Sequence, residues 1–499
     1  MAKILRGIVM KYDIEKQHAK KKYHAIERIG LLLDPGTFCE IGGEICGEGD
    51  VPYDGVITGS GAVNGKIVYV FCQDFTIHGG TIGLVHGRKI AHLIETAILC
   101  KCPIIGIYDS GGARINEGIN SLAGCGEMMR FNTLASGYIP QIAVVLGPCA
   151  GAAAYSPAIN DFIFCVNTIS NMYITGPAVI ESVTGEKCTA EELGGAKVHA
   201  GVSGVAHVVC SSEKECFRKV RKLIDYLPSC FDSEKRNRID MEAEDPINID
   251  LDKILPEQEK QSYDVEEVIR GCIDLDSFFE IQEQYAPSLV VGFAKLYGCL
   301  VGIVANQPQS NGGSLDCDSS DKGARFVRFC DAFNIPVITF VDTPGYLPGM
   351  EQEHLGIIRH GAKLLFAYAE ATTIKITVVL RKAHGGAYIA MGSKHLESDY
   401  SFALSRAEIA VMGAEGAVRI LNRHEIQEVD PKEQERFFQE KVEEYKRDYL
   451  NVSIAAKKGY VDQIIEIGEI RKKIGQCLQA LENKKPVVRI EKKHSNIPL

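Results

Sequence analysis

Four short loops hold the residues whose types and spacing suit chemistry. They form two pairs: Asp109-Ser110-Gly111-Gly112-Ala113 with Asp342-Thr343-Pro344-Gly345, and Ala150-Gly151-Ala152-Ala153-Ala154 with His384-Gly385-Gly386-Ala387-Tyr388. Each follows an apolar run that reads as a buried strand. Small residues let a ligand approach main-chain N–H groups, and a following helix adds its N-terminal dipole. The chemistry that results is an oxyanion hole, in which one donor is worth about 3 kcal/mol of barrier. A single loop of this kind is more often a tight structural turn. Two at matching places in a repeat point to a pair of anion-stabilising sites.

Other chemistry is poorly provided for. There is no phosphate-binding GxxxxGK[ST] loop, no GxSxG elbow and no HExxH motif, and GSGAVNG (59–65) has the wrong spacing for a dinucleotide loop. His360 lies on an expected helix, where a histidine is more often packed or solvated than a base. Glu117 is the one acidic residue near the first loop and reads as a helix-surface residue. Arg381 and Lys382 suit a phosphate or carboxylate, and equally a solvated surface. The 17 cysteines include no CxxC pair, which argues for reduced core thiols and against a metal ribbon.

The loops sit in a duplication. PIIGIYDSGGARI (103–115) resembles PVITFVDTPGYLP (336–348) at an offset of 233, which also relates Asn64-Gly65 to Tyr297-Gly298, two hairpin-like turns. IAVVLGPCAG (142–151) matches ITVVLRKAHG (376–385) at 234, and FCEI (38–41) matches FFEI (278–281) at 240. Four correspondences in one order define two similar domains. The stretch 233–264 is polar and proline-bearing, so the domains are set at 1–240 and 263–499 with a linker at 241–262. In each half, strand-like runs alternate with helix-like segments such as 87–100 and 323–336, which predicts an α/β fold. Residues 466–485 read as an amphipathic helix, for packing on its own domain or for oligomer contacts.

Bulk composition sets the remaining bounds. The 499 residues are 45% hydrophobic and 24% charged, as in soluble globular proteins. The net charge of -10 argues against nucleic acid as a partner. No apolar run approaches the roughly 18 residues of a membrane span, and the start turns polar and basic too soon for a signal peptide. The expected location is the cytoplasm.

At these loops the chain resembles the carboxyltransferase subunits of biotin-dependent acyl-CoA carboxylases, from about residue 14 to 485. QDFTIHGGTIG (73–83), DSGGARINEG (109–118), ITGPAVIESVTGE (174–186), RFVRFCDAFNIPVITFVDTPGYLPG (325–349), RKAHGGAY (381–388) and AEIAVMG (407–413) are among the segments that carry the resemblance. It implies two crotonase-like (ClpP/crotonase) domains, the N-terminal one for the acyl-CoA and the C-terminal one for biotin. It also implies a ring of dimers, usually a hexamer, whose active sites lie at dimer interfaces. Gly151 and Ala152 are then expected to hold the thioester enolate oxygen, and Gly386 and Ala387 the ureido oxygen of biotin. The repeat itself aligns Gly151-Ala152 with Gly385-Gly386, one residue away. Ser110, Gly111, Gly112, Ala113 and Tyr155 on one side, and Thr343, Pro344, Gly345, Gly385, Tyr388 and Ile389 on the other, are expected to line the substrate sites. Backbone dipoles stabilise both negative oxygens, so no side-chain base and no metal is required.

The implied partners are an acyl-CoA, a biotin carboxyl carrier protein and a biotin carboxylase, since the chain lacks a Met-Lys-Met biotinylation motif. A sodium-pumping methylmalonyl-CoA decarboxylase, with membrane subunits as partners, is the alternative setting. Three departures from the family bear on substrate choice: Ala152 where Gly is usual, Leu404-Ser405 in place of Trp-Pro, and the segment 309–326. The expected acyl group is short, propionyl or acetyl; after GGAY, propionyl-type enzymes tend to carry Asp and acetyl-accepting ones an apolar residue, so Ile389 leans towards a small or relaxed acyl group, with core packing as the equal alternative.

Overall fold

The computed structural model describes residues 13–233, 239–241, 251–256, 258, 261–485, 490 and 492–499. The chain divides into two compact units after Ser233, somewhat ahead of the expected end at residue 240. Most of the expected linker, 241–262, lies outside the described residues; within it, Leu251–Ile254 form a helical turn.

In the first unit the strands are β1 (Cys39–Glu40), β2 (Val56–Val63), β3 (Lys66–Gln73), β4 (Ile104–Ser110), β5 (Gln141–Ala150), β6 (Phe162–Val166), β7 (Asn171–Tyr173) and β8 (Val208–Cys210). Among the described residues they form one eight-stranded sheet, ordered β1-β2-β3-β4-β5-β6-β8, with β7 paired to β5. The pairing is antiparallel up to β3 and parallel beyond it. Its helices include α1 (Ala25–Leu32), α2 (Leu84–Leu99), α3 (Ile119–Ala135), the short α4 (Tyr155–Ile159) and α5 (Glu213–Tyr226).

The second unit repeats this plan. Its strands are β9 (Phe279–Ile281), β10 (Leu289–Leu296), β11 (Cys299–Asn306), β12 (Val337–Thr343), β13 (Lys375–His384), β14 (Tyr400–Leu404), β15 (Glu408–Ala410) and β16 (Gln463–Ile465). They run in the order β9-β10-β11-β12-β13-β14-β16, with β15 on β13. Its helices include α6 (Val265–Cys272), α7 (Cys317–Ala332), α8 (Ile357–Glu370), α9 (Gly385–Ala390) and α10 (Ile470–Ala480). α10 buries Ile470, Ile474 and Leu478 in the core of its own unit, as expected of a helix that packs on its own domain. β4 and β12 are buried along their whole length, as central parallel strands are when both faces are covered.

The repeat extends to single hydrogen bonds. Asn64-Gly65 and Tyr297-Gly298 are two-residue hairpin turns with positive φ at all four positions. One aspartate caps each: Asp34 accepts from the Asn64 and Gly65 N–H groups (3.1 and 2.8 Å), and Asp274 from those of Tyr297 and Gly298 (both 2.8 Å). Lys89 on α2 and Lys322 on α7 are both buried and each donates to two backbone carbonyls at 2.8–2.9 Å. Burial pulls the Lys322 amine down to about 8. Among the described residues no helix is long and apolar enough to cross a membrane, and the seventeen thiols are free.

Candidate active site

The last residue of β4, Ser110, opens the first loop. The Gly111 N–H donates to the Gly79 carbonyl (2.9 Å), and the Gly112 carbonyl accepts from the Ile82 N–H (2.8 Å). Gly112 has φ +107°, and a Cβ there would lie 2.8 Å from the Ala150 carbonyl. Only glycine lets the loop come this close to the end of β5. The equivalent loop after β12 repeats the pattern: the Leu315 N–H donates to Gly345 (3.1 Å), and the Leu347 N–H to Leu315 (2.7 Å).

β5 and β13 end in the same way. Gly151 (φ +58°) and Gly385 (φ +62°) turn left-handed, and each leads into a helical turn with no side-chain cap. Among the described residues, the N–H groups of Gly151, Ala152, Gly386 and Ala387 donate to no backbone carbonyl outside their own turn. They are the orphan donors of a helix start, left for a ligand or for water. A Cβ on Gly386 would meet nothing nearer than the Tyr346 ring at 3.8 Å, so the space above it is open. Tyr155 and Ile389 are partly exposed beside these turns, while Ala387 and Tyr388 are buried. Gly112 thus approaches Ala150, the residue before Gly151, within the first unit, and Tyr346, the residue after Gly345, stands beside Gly386 within the second.

The anchors behind the loops were not legible as anchors in the sequence. Asp109, at the end of β4, is fully buried. Its carboxylate accepts from Lys22 (2.6 Å), Arg28 (2.9 Å) and Gln17 (3.1 Å), and its N–H donates to Gln73 Oε1 (3.2 Å). Arg28 also reaches Glu213 (2.7 Å) and the Leu146 carbonyl (2.8 Å). Burial alone would pull the Arg28 guanidinium down, but Asp109 and Glu213 outweigh it and hold it above its ordinary value. For Lys22 burial wins and the amine is lowered.

Asp342 is the counterpart, with its N–H on Asn306 Oδ1 at the same 3.2 Å. Its carboxylate accepts from Arg381 Nε (2.8 Å), Tyr263 Oη (2.9 Å) and the Lys382 N–H (3.1 Å). Arg381 is therefore engaged in an internal ion pair through Nε and in a bond from Nη1 to the Gln261 carbonyl (2.7 Å). Gly147 takes the place of Arg381 in the first unit, where a Cβ would sit 1.9 Å from Asp109 Oδ1.

Several residues that could have offered side-chain chemistry near the first loop, and His360 in the second unit, are engaged or hold no reactive form. Burial pushes the His86 imidazole down to about 3, so it is neutral, and its Nδ1 lies 2.9 Å from the Asp54 carbonyl. Burial pushes the Cys149 thiol up, away from the reactive thiolate. Glu117 is not a free surface residue as expected. It holds Arg114 (2.7 Å) and the N–H of Leu84 at the start of α2 (2.7 Å), spending its carboxylate on structure. His360 sits 2.9 Å from Asp321.

Residues 16–497 match the family model for the carboxyl transferase domain. The chain belongs to that family, and the enzyme is a carboxyltransferase. A propionyl-CoA carboxylase carboxyltransferase subunit from Haloferax mediterranei is 49% identical, with 97% of this chain and 95% of that protein covered. The alpha subunit of methylmalonyl-CoA decarboxylase from Propionigenium modestum is 45% identical, covering 97% of this chain and 95% of that one. The crystal structure of transcarboxylase 12S, a hexamer with methylmalonyl-coenzyme A and methylmalonic acid bound, matches with a TM-score of 0.93 at 45% identity, over 97% of this chain and 94% of that one. Both units have the crotonase-like fold.

Proposed function

We propose that the enzyme moves a carboxyl group between carboxybiotin, held on a separate carrier protein, and the α carbon of a short acyl-CoA, propionyl-CoA or acetyl-CoA. The observation that carries the reading is the repeated cradle: a left-handed glycine at the end of a buried strand, followed by an uncapped helical turn, once in each unit. Gly151 and Ala152 are assigned to the thioester oxygen, with Ser110–Ala113 and Tyr155 beside them. Gly386 and Ala387 are assigned to the ureido oxygen of biotin, with Thr343, Pro344, Gly345, Gly385, Tyr388 and Ile389 around them.

Carboxybiotin supplies the carboxyl group as a substrate on its carrier. The chain supplies donors fixed in place before reaction, so negative charge developing on the thioester oxygen meets dipoles that need no reorganisation. Stabilising that charge acidifies the α carbon; its proton passes to the biotin ureido oxygen left negative when carboxybiotin releases carbon dioxide, the carbon dioxide bonds to the α carbon, and no side-chain base has to be spent. The occupied states of His86, Cys149 and Glu117 are consistent with this.

Exposed apolar side chains argue for a homo-oligomer. Ile115, Ile119 and Val183 in the first unit, and Ile358, Val411 and Leu421 in the second, are all more than half exposed. Apolar side chains left this open to solvent gain free energy when a partner covers them. We assign them to contacts between copies, in a hexamer like that of transcarboxylase 12S. The double variant Ile115→Arg, Val411→Arg is expected to elute as a smaller species in light scattering. An unchanged mass would exclude these residues from subunit contacts. Carrier and biotin carboxylase chains complete the proposed enzyme, in the cytoplasm. The decarboxylase relative supports the reverse direction as a second setting; membrane subunits would be the partners there.

The test is direct. Purified protein with free biotin is expected to decarboxylate malonyl-CoA or methylmalonyl-CoA slowly, and comparing the two ranks acyl preference. Turnover that does not depend on biotin would remove the reading.

A further inference from the structure

His384 is the last residue of β13 and directly precedes the Gly385 turn. It is 4% exposed, and its Nε2 makes no hydrogen bond. The nearest charged group is Glu408 on β15, with Oε2 3.7 Å from that nitrogen. Strand pairing explains the approach. β13 and β15 run parallel with Lys382 opposite Glu408 and His384 opposite Ala410. Side chains two residues apart on a strand share a face, so His384 is the diagonal neighbour of Glu408. The other side of the ring rests on Gly413, where a Cβ would lie 3.7 Å from Cε1 and 3.8 Å from Nδ1. Gly385 abuts the same segment, since a Cβ on it would be 3.1 Å from the Val411 carbonyl. The imidazole therefore joins the strand end, β15 and the 411–413 segment on which the loop turns.

Burial works to raise the Glu408 carboxyl, but His384, Lys446 and Lys382 outweigh it and hold it below its usual range. Glu408 is thus a carboxylate at neutral pH, with Lys382 from β13 and Lys446 as the other charges facing it. A buried ring nitrogen is costly to leave unbonded, and the Glu408 carboxylate 3.7 Å away is an acceptor of the charge-assisted kind. The backbone of His384 leads directly into the 385–387 loop.

We propose that His384 is a positioning residue for carboxyl transfer: by pairing with Glu408 it fixes the direction in which the Gly386 and Ala387 N–H groups point. The inference rests on the reading of this loop as the biotin side of the site. No contact between His384 and either substrate is required.

The experiment uses the full oligomeric protein, free biotin as probe and methylmalonyl-CoA as substrate, with the variants His384→Phe, His384→Asn and Glu408→Gln. His384→Phe is expected to lower kcat about 10- to 100-fold, the scale of a small misalignment. KM for methylmalonyl-CoA should stay within about twofold, because the acyl-CoA loop is on the other unit. His384→Asn, which restores a donor, should recover part of the loss. The double variant His384→Phe, Glu408→Gln should be no worse than His384→Phe alone, as expected of two groups that act as one. Should His384→Phe fail to assemble, Glu408→Gln carries the test through the same fall in kcat at constant KM. An unchanged kcat, effects that multiply, or equal losses in His384→Phe and His384→Asn would overturn the proposal. Lack of biotin-dependent turnover in the unaltered protein would instead overturn the functional reading, and this inference with it.

Discussion

Arg28→Ala is expected to lower the stability of the N-terminal unit by about 3–5 kcal/mol, because it leaves two buried carboxylates without their shared cation. Arg28 is fully buried, 2.9 Å from Asp109 and 2.7 Å from Glu213. Exposed ion pairs are worth little, but breaking a buried one leaves charge stranded in a low dielectric. Hydrogen exchange reads each unit separately. Slow amides of β4 and α1 should exchange roughly 100- to 4,000-fold faster, at about 1.4 kcal/mol per decade, while those of β12 and α6 keep their rates. Arg28→Lys should fall between, since an ammonium cannot reproduce the fork that reaches Asp109, Glu213 and Leu146 together. Unchanged exchange in β4 would show that Lys22 and Gln17 suffice to hold Asp109.

Gly386→Val is expected to leave the fold intact and reduce biotin-dependent turnover by about 100-fold or more. The backbone at Gly386 is not left-handed, and its Cβ position is open, so a side chain can be accommodated. The two valine methyls would stand where the ligand oxygen must approach the N–H groups. Losing one such donor costs about 3 kcal/mol of barrier, which corresponds to a factor of about 100. Gly385→Val would be a poorer test, because φ is +62° there and strain in the turn would be mixed with loss of the site. Circular dichroism and oligomer mass should match the unaltered protein. Normal turnover in Gly386→Val would contradict the assignment of this loop to biotin.

Much of this architecture was legible before any coordinate. The offset of 233 seen in PIIGIYDSGGARI and PVITFVDTPGYLP reappears as paired hydrogen bonds: Gln73 with Asp109 and Asn306 with Asp342, both at 3.2 Å. Turn chemistry is local, so the Asn64-Gly65 and Tyr297-Gly298 hairpins could be read from adjacent residues. The anchors could not. Arg28 meets Asp109 across 81 positions and Glu213 across 185, and no local pattern marks such a pairing. Glu117 looked like solvated helix surface because Arg114 and the α2 terminus that engage it are fixed only by folding. A signal was available for the buried lysines. Lys89 and Lys322 stand at the same offset of 233 on matching helices, and a charge repeated at an otherwise apolar helix position is a hint of shared internal use.

The two copies neutralise their key aspartates by different routes, and this makes damage to the chain's ends unequal. Asp109 draws Lys22 and Arg28 from the amino-terminal segment, whereas Asp342 draws Tyr263 and Arg381 from within the second copy. A product begun at a downstream start codon, or nicked by a protease near residue 30, would strip Asp109 of Lys22 and Arg28 while Asp342 kept both Tyr263 and Arg381, so on the proposed assignment only the thioester side would lose its anchor.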